Sequence, residues 1–183
     1  MTVTVTEYEA VVYDLDGTLV DLEVDWADAA RAVREVYETA GVEPPSTELW
    51  DMLEAADDAG LLADVESTLA DREREGARAA PRLTRADELL ERTVPVGVCS
   101  LNCEAACRIA LEKHGLADAV DIVVGRDTVA TQKPDPEPLL EAVRELGVDP
   151  ENAVFVGDSR RDELTAERAG VAFEYVGSGP SGV

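Results

Sequence analysis

Hydrophobic and polar positions along the chain alternate between two kinds of segment. Short apolar runs, typical of buried strands, are separated by longer segments that carry an apolar face at helical spacing. The predicted strands cover residues 10–13, 94–99, 122–124, 153–156 and 173–176. Because apolar strands alternate with helices, the pattern predicts a parallel sheet covered by helices on both faces.

The longer segments predict helices over residues 26–40, 46–58, 61–79, 84–92, 102–114, 135–147 and 161–169. Their expected N-terminal signals are the capping side chains Ser46, Thr84 and Asn102, and Pro136 at a first helical position. About sixty residues after the first strand contain only helices, which is too long for one crossover. We therefore predict a doubly wound, Rossmann-like α/β core at 1–20 and 83–183, with a small helical cap inserted at 21–82.

The charge balance is strongly acidic, because 40 Asp and Glu residues face 16 basic residues and give a formal net charge of −24. A nucleic-acid partner is not expected, since phosphate backbones are bound by clustered Lys and Arg. Fourteen of the basic residues are Arg and two are Lys. Depleted Lys with excess acid predicts a halophilic protein whose self-repulsion is screened by salt.

No apolar run approaches the length of a membrane span, and no charged-then-apolar leader opens the sequence. We therefore expect a soluble, cytoplasmic protein without a membrane partner. Cys99, Cys103 and Cys107 lack the further ligands that a metal site needs, so we predict buried thiols in a reducing compartment. The sequence does not indicate the oligomeric state.

Polar side chains follow several of the predicted strands, where ligands bind in such sheets. Asp14 and Asp16 come directly after the first strand, and Gly17 permits an immediate turn. Residues two apart point the same way in an extended chain, so these carboxylates can face one group as nucleophile and proton carrier. The alternative is a solvated Asp-Gly turn.

A hydroxyl and a helix start follow the second strand, at Ser100, Leu101 and Asn102. A helix N-terminus with a hydroxyl is suited to phosphate, although Ser and Asn are also ordinary caps. Lys133 is one of only two lysines, and a compact ammonium can neutralise a phosphoryl group and nearby carboxylates. The alternative is an ordinary surface lysine.

Two acids four residues apart, Asp158 and Asp162, close the fourth strand and begin the next helix. Carboxylate oxygens are the ligands that Mg²⁺ prefers, with waters in the remaining positions. Solvated surface acids are the alternative. These segments together resemble the haloacid dehalogenase-like hydrolase superfamily: Asp-x-Asp-Gly-Thr, a strand ending in Ser, Lys-Pro, then Gly-Asp-x-x-x-Asp. The helical insertion is similar to the first cap class, in the phosphoglycolate phosphatase and β-phosphoglucomutase group.

The resemblance implies a Mg²⁺-dependent phosphatase that acts on a small phosphorylated metabolite. It implies that Asp14 attacks phosphorus, that Asp16 is the acid and base, and that Lys133 orients and neutralises. Phosphate would be held by Ser100, Leu101, Asn102 and Lys133. The metal would be held by Asp14, the Asp16 carbonyl, Asp158 and Asp162, the last directly or through water.

The cap is short for its class, and its substrate-reading loop cannot be placed from the sequence. Five cap arginines are expected to form a solvated face paired with acids, the alternative being that they bind a second anionic group of the substrate: Arg31, Arg34, Arg72, Arg74 and Arg78. Trp26 and Trp50 are expected to pack inside the cap and not against substrate. Alternative functions are a sugar phosphomutase, a carbon–halogen hydrolase, which Asp16 and Asp158 disfavour, and a phosphate-sensing, receiver-like protein.

Overall fold

The computed structural model describes residues 8–177 and contains one sheet of five parallel strands. The strands are β1 (Ala10–Tyr13), β2 (Val96–Cys99), β3 (Ile122–Val124), β4 (Ala153–Gly157) and β5 (Ala172–Tyr175). Their order is β3-β2-β1-β4-β5. The chain therefore adds β2 and β3 on one side of β1 and then adds β4 and β5 on the other side. The predicted doubly wound α/β fold is confirmed, and β1 stands at its centre.

The helices lie on both faces of this sheet, as the buried strands require. They are α1 (Trp26–Thr39), α2 (Leu49–Ala55), α3 (Leu62–Ala79), α4 (Arg85–Leu90), α5 (Glu104–Lys113), α6 (Glu137–Glu145) and α7 (Arg160–Ala169), with short 3₁₀ turns at Ala117–Ala119 and Pro150–Asn152. Successive side chains of a strand point to opposite faces. Val11 and Tyr13 therefore pack in one cluster with α4 and α5, whereas Val12 packs in another with α6 and α7.

A third hydrophobic cluster lies between β1 and β2 in the chain and is formed by α1, α2 and the first half of α3. Its largest buried member is Tyr37, whose hydroxyl donates to the Met52 carbonyl at 2.6 Å. The second half of α3 packs along α5, and Ala77 and Ala80 join the cluster beneath the sheet. Helix α3 thus belongs to both clusters. The division into a core and a cap at 21–82 stays a prediction, and positions 1–7 and 178–183 of the predicted core lie outside the described residues.

Helix α3 and the segment that leads into α1 cross in close contact at Gly76. A Cβ built on Gly76 would lie 2.6 Å from Val24 Cγ2 and 3.0 Å from the Glu23 carbonyl oxygen. Real Cβ atoms do not approach other atoms so closely, so a side chain here would push the two segments apart. The glycine therefore fixes where the chain passes α3 on its way into α1.

The predicted helix caps are wrong in detail. Helix α2 begins after Glu48, and the Ser46 hydroxyl accepts the Glu48 N–H before the helix starts. Thr84 makes no side-chain capping bond. Helix α5 begins after Cys103 and not after Asn102. Its first free N–H groups are bound by distant acids, Cys103 by Glu73 at 3.1 Å and Glu104 by Asp127 at 2.8 Å. Local sequence does not reveal such partners.

The described part of the chain has no helix that combines the length and the apolar character needed to cross a bilayer. The three cysteines are free and buried, as predicted. Burial raises the pKa of Cys99 to about 12 and that of Cys103 to about 11, so both stay as thiols at neutral pH.

Candidate active site

The carboxyl ends of β1, β2 and β4 meet at a cavity of about 240 Å³. Parallel strands bring their carboxyl ends to one edge of the sheet, which is why residues distant in sequence come together there. All eight predicted site residues line this cavity: Asp14, Asp16, Ser100, Leu101, Asn102, Lys133, Asp158 and Asp162.

Asp14 is carried into the cavity by β1, whose pairing with β4 continues past the strand end. The Asp14 N–H donates to the Val156 carbonyl at 2.8 Å. The side chain is buried, and its Oδ1 accepts a hydrogen bond from Lys133 Nζ at 2.9 Å. Burial raises the pKa of Asp14 well above its ordinary value, and the Asp162 carboxylate raises it further, while Lys133 lowers it. An oxygen of Asp14 is thus held in place beside a cation.

Lys133 is a buried ammonium with three acceptors. Its Nζ donates to Asp14 Oδ1, to Asp162 Oδ1 at 2.6 Å and to the Cys99 carbonyl at 3.3 Å. Burial lowers the pKa of Lys133, but the two carboxylates outweigh it and raise the pKa overall. The group therefore stays charged, and it is not an ordinary surface lysine. Because its N–H groups already have acceptors, its charge acts on the cavity mainly by neutralising and orienting Asp14.

The surroundings of Asp16 differ from those of Asp14, because its pKa is set by burial, a backbone N–H and neighbouring acids and not by a basic side chain. Its Oδ1 accepts the Leu22 N–H at 2.8 Å. Burial raises the pKa of Asp16 to about 6, the Leu22 N–H lowers it, and neighbouring carboxylates including Asp21 raise it. A carboxyl that titrates near neutral pH can both donate and accept a proton. The two acids of the first motif are therefore electrostatically different.

Gly17 allows the turn that brings these carboxylates close to Asp158. Its φ of +83° lies in the left-handed region that glycine adopts without strain. A Cβ at this position would lie 2.0 Å from Asp158 Oδ2. Any side chain would therefore displace the Asp158 carboxylate from beside the first motif.

A cluster of three carboxylates forms the floor of the cavity. Asp14, Asp158 and Asp162 each place an oxygen within 4.8 Å of the other two. Burial raises the pKa of Asp158, and the Asp162 carboxylate raises it further. Three negative charges face the single positive charge of Lys133, which leaves two charges uncompensated when all are ionised. The oxygen donors and this charge suit a divalent cation such as Mg²⁺.

Asp162 also organises the start of α7. Its Oδ2 accepts the Ser159 N–H at 3.3 Å and the Ser159 hydroxyl at 2.8 Å, and its own N–H donates to Ser159 Oγ at 3.2 Å. This reciprocal capping box fixes the first turn of the helix. Both carboxylate oxygens thus have protein donors, Lys133 on Oδ1 and Ser159 on Oδ2. Its direct or water-mediated part in metal binding stays a prediction.

The loop after β2 presents a hydroxyl to the cavity. Ser100 is buried, and its Oγ accepts hydrogen bonds from the Asn102 N–H at 3.1 Å and from Asn102 Nδ2 at 3.2 Å. Two donors on the oxygen leave the hydroxyl proton for donation. The Ser100 N–H is bound by the Val124 carbonyl at 2.9 Å and is not itself available to a ligand.

Arg126 supports this loop and was missed by sequence reasoning. Its guanidinium, with 5% of the residue exposed, donates to Glu66, to the fully buried Glu73, and to the Leu101 carbonyl at 2.7 Å. Burial lowers the pKa of Arg126, but bonds to Glu66 and Glu73 outweigh it and raise the pKa. The available signal was its place just after β3, at the same edge of the sheet as the other site residues. It ties α3 to the loop that follows β2, residues 100–102.

The mouth of the cavity is formed by Trp26, Trp50 and Arg161. Both tryptophans pack against the α1–α3 cluster, as expected, with ring centroids 6.0 Å apart. They also line the cavity, which the sequence did not indicate. Whether they contact a substrate stays a prediction. Arg161 lies over the Trp50 ring at 5.7 Å from its centroid.

The five cap arginines do not line this cavity. Four of them pair with acids as predicted: Arg31 and Arg72 with Asp28, Arg34 with Glu38, and Arg74 with Asp71. Arg78 is exposed on the last turn of α3.

Known proteins resemble the chain over nearly its whole length. A family model described as haloacid dehalogenase-like hydrolase matches residues 11–176. The phosphoglycolate phosphatase of Rhodospirillum rubrum is 38% identical over 185 residues, covering 89% of this chain and 77% of the relative. That of Neisseria meningitidis is 30% identical over 192 residues, covering 93% and 80%. A haloacid dehalogenase-superfamily hydrolase structure from Geobacter sulfurreducens matches with a TM-score of 0.59 at 27% identity, covering 91% and 88%.

Proposed function

Because the chain belongs to the haloacid dehalogenase-like hydrolase family, as its motifs predicted, we propose that it is a phosphatase acting on a small phosphomonoester of the phosphoglycolate type. One observation carries the proposal. A single cavity contains a buried carboxylate oriented by an ammonium at 2.9 Å and a second carboxylate whose pKa is raised to about 6. The first suits a nucleophile, and the second suits an acid and base.

The reaction follows from these positions in two steps. An oxygen of Asp14 attacks phosphorus, the bond from phosphorus to the substrate oxygen breaks, and Asp16 gives its proton to the departing oxygen. In the second step water attacks the phospho-aspartate while Asp16 takes a proton from it, and the bond to Asp14 breaks. Transfer through Asp14 requires in-line positioning and charge neutralisation, which Lys133 and the Ser100 hydroxyl supply.

The residues present fit a Mg²⁺ ion. Asp14 and Asp158, with the Asp16 carbonyl and Asp162, would hold it, since oxygen ligands are its preference and the cluster carries excess negative charge. When bound, the ion supplies charge neutralisation for the transferring phosphoryl group. Without it, the clustered carboxylates would oppose the approach of a phosphate.

The experiment is phosphate release from 2-phosphoglycolate and p-nitrophenyl phosphate, with Mg²⁺ and after exhaustive chelation. We expect turnover that needs the metal. Asp14→Asn should abolish it. Asp16→Asn should spare the first step on the aryl ester, which needs little leaving-group protonation, and should accumulate a phosphorylated protein visible by intact mass after acid quench.

The matched control is Asp118→Asn, an exposed aspartate that precedes β3 at the opposite edge of the sheet. It should keep wild-type activity. If Asp16→Asn hydrolyses both esters at the wild-type rate, Asp16 is only a turn residue and the proposed mechanism is wrong. If the protein isomerises a sugar phosphate without releasing inorganic phosphate, the phosphatase proposal is wrong and the phosphomutase is the function.

A further inference from the structure

Arg161 occupies an unusual electrostatic position. It lines the active-site cavity at the second position of α7, directly before Asp162. A helix N-terminus carries partial positive charge, so a cation there is disfavoured. The neighbouring Arg160 is compensated by an ion pair with Glu163. Within residues 8–177, Arg161 takes part in no salt bridge, although acids outnumber bases in this chain.

The guanidinium of Arg161 is instead held by an aromatic ring. This cation–π contact with Trp50 uses none of the guanidinium N–H groups, so they stay available to another partner. Trp50 belongs to α2 and Arg161 to α7, so the pair joins the two sides of the cavity mouth. A guanidinium held in this way matches the two oxygens of a carboxylate or a second phosphoryl group.

The size of the cavity limits the distance between the two ends of a ligand. At about 240 Å³ it is smaller than the roughly 300–1,000 Å³ typical of drug-sized ligands. A phosphoryl group at Asp14 occupies part of this volume, so the remainder suits a substrate with a short carbon skeleton. The mouth of the cavity contributes the indole rings of Trp26 and Trp50 and the guanidinium of Arg161.

We propose that Arg161 binds a second anionic group of the substrate, and that the enzyme therefore selects short phosphomonoesters carrying a carboxylate over uncharged ones. This rests on the proposed function and assigns its selectivity to one residue. The phosphoryl end is bound at Asp14, which Lys133 neutralises, and at Ser100, whereas the second anionic end is bound by the Arg161 guanidinium. A neutral substrate of the same length would keep the first set of contacts and lose the second.

The test compares kcat/KM for 2-phosphoglycolate and for ethyl phosphate, which has the same chain length without the carboxylate. Arg161→Gln should lower the value for phosphoglycolate by about 10- to 100-fold, the range expected for a hydrogen bond to a charged group, mostly through KM. The value for ethyl phosphate should change by less than about 2-fold. Arg161→Lys should recover part of the loss, because it keeps the charge without the fork.

The matched control is Arg160→Gln, which removes an adjacent exposed arginine that does not line the cavity and should leave both values unchanged. Equal losses on both substrates in Arg161→Gln would mean that Arg161 only supports Trp50, and would overturn the inference while the phosphatase stands. A wild-type enzyme without preference between the two substrates would overturn it as well. If neither ester nor any other phosphomonoester is hydrolysed, the proposed function and this inference both fall.

Discussion

Replacing Arg126 by methionine removes the cation between α3 and the loop that follows β2. Met keeps a long apolar stem, so packing changes little, but Glu73 is then left fully buried with only uncharged donors, the Cys103 N–H and thiol, among the described contacts of this network. Glu66 is partly exposed and can turn toward water. Removing one partner of a buried ion pair typically costs about 3–5 kcal/mol, because the other charge stays desolvated.

We therefore expect Arg126→Met to lose about 4 kcal/mol of unfolding free energy in urea denaturation. For a protein of this size that is a fall of about 8–16 °C in melting temperature. The Leu101 carbonyl also loses its donor, so the loop should be less ordered and KM for substrate should rise. Arg108→Met is the matched control: Arg108 pairs with Glu104 on the surface of α5, and such pairs contribute about 0–1 kcal/mol.

A double variant, Arg126→Met with Glu73→Gln, separates the ion pair from general packing. Gln keeps an acceptor for the Cys103 N–H but carries no charge, so the double variant should lose clearly less stability than the two single losses added together. Strict additivity, or a loss below about 1 kcal/mol in Arg126→Met, would refute the view that this network anchors the loop.

Three further predictions concern charge. Lys133→Ala should lose activity, and Lys133→Arg should restore little of it, because a planar guanidinium cannot replace a compact ammonium between Asp14 and Asp162. Near-wild-type kcat/KM in both variants would refute the proposed role of Lys133 in orienting and neutralising Asp14. In metal-free protein, Asp16→Asn should be more stable than wild type at pH 7 by about 3 kcal/mol, and the difference should shrink toward pH 4. The native pKa of about 6 lies above the unfolded value of 3.8, so native Asp16 binds more protons between these values and the stability of the wild type falls as pH rises. Urea titrations of both proteins from pH 4 to pH 8 measure this, and a constant difference would contradict it. The halophilic character also stays a prediction: the melting temperature should rise steeply with KCl, since 40 acidic residues face 16 basic ones, and a flat response to molar salt would remove it.

The doubly wound parallel sheet and the cavity residues that follow its strands could be predicted because one simple rule connects them. Apolar runs mark the strands, and the residue after each run must appear at the carboxyl edge of the sheet. Asp14, Ser100 and Asp158 need no other information to be brought together. Conclusions that depend only on alternation and strand ends are therefore the ones that the structure confirms.

The parts that were missed depend on contacts between residues far apart in the chain. Glu73 and Arg126 are 53 positions apart, and nothing near either one indicates a buried partner. The N-terminus of α5 uses Glu73 and Asp127 where a local cap was expected. Trp50 packs against the α1–α3 cluster with one part of its side chain and lines the cavity with another. Periodicity identifies a buried face, but it does not identify what lies opposite that face.

Helix α3 is fastened to the core at two positions along its length. Its 18 residues span about 27 Å, and Arg126 fastens it at Glu66 and Glu73, about 10 Å apart along its axis. One guanidinium therefore bonds α3 on two of its turns and also the Leu101 carbonyl, so that the helix and the loop after β2 share a single buried fastening. The Arg161–Trp50 contact makes a second link, between α7 on the sheet and α2 in the helical cluster. Any displacement of α2 relative to the sheet would therefore be registered at the cavity as a change in the distance between the indole and the guanidinium.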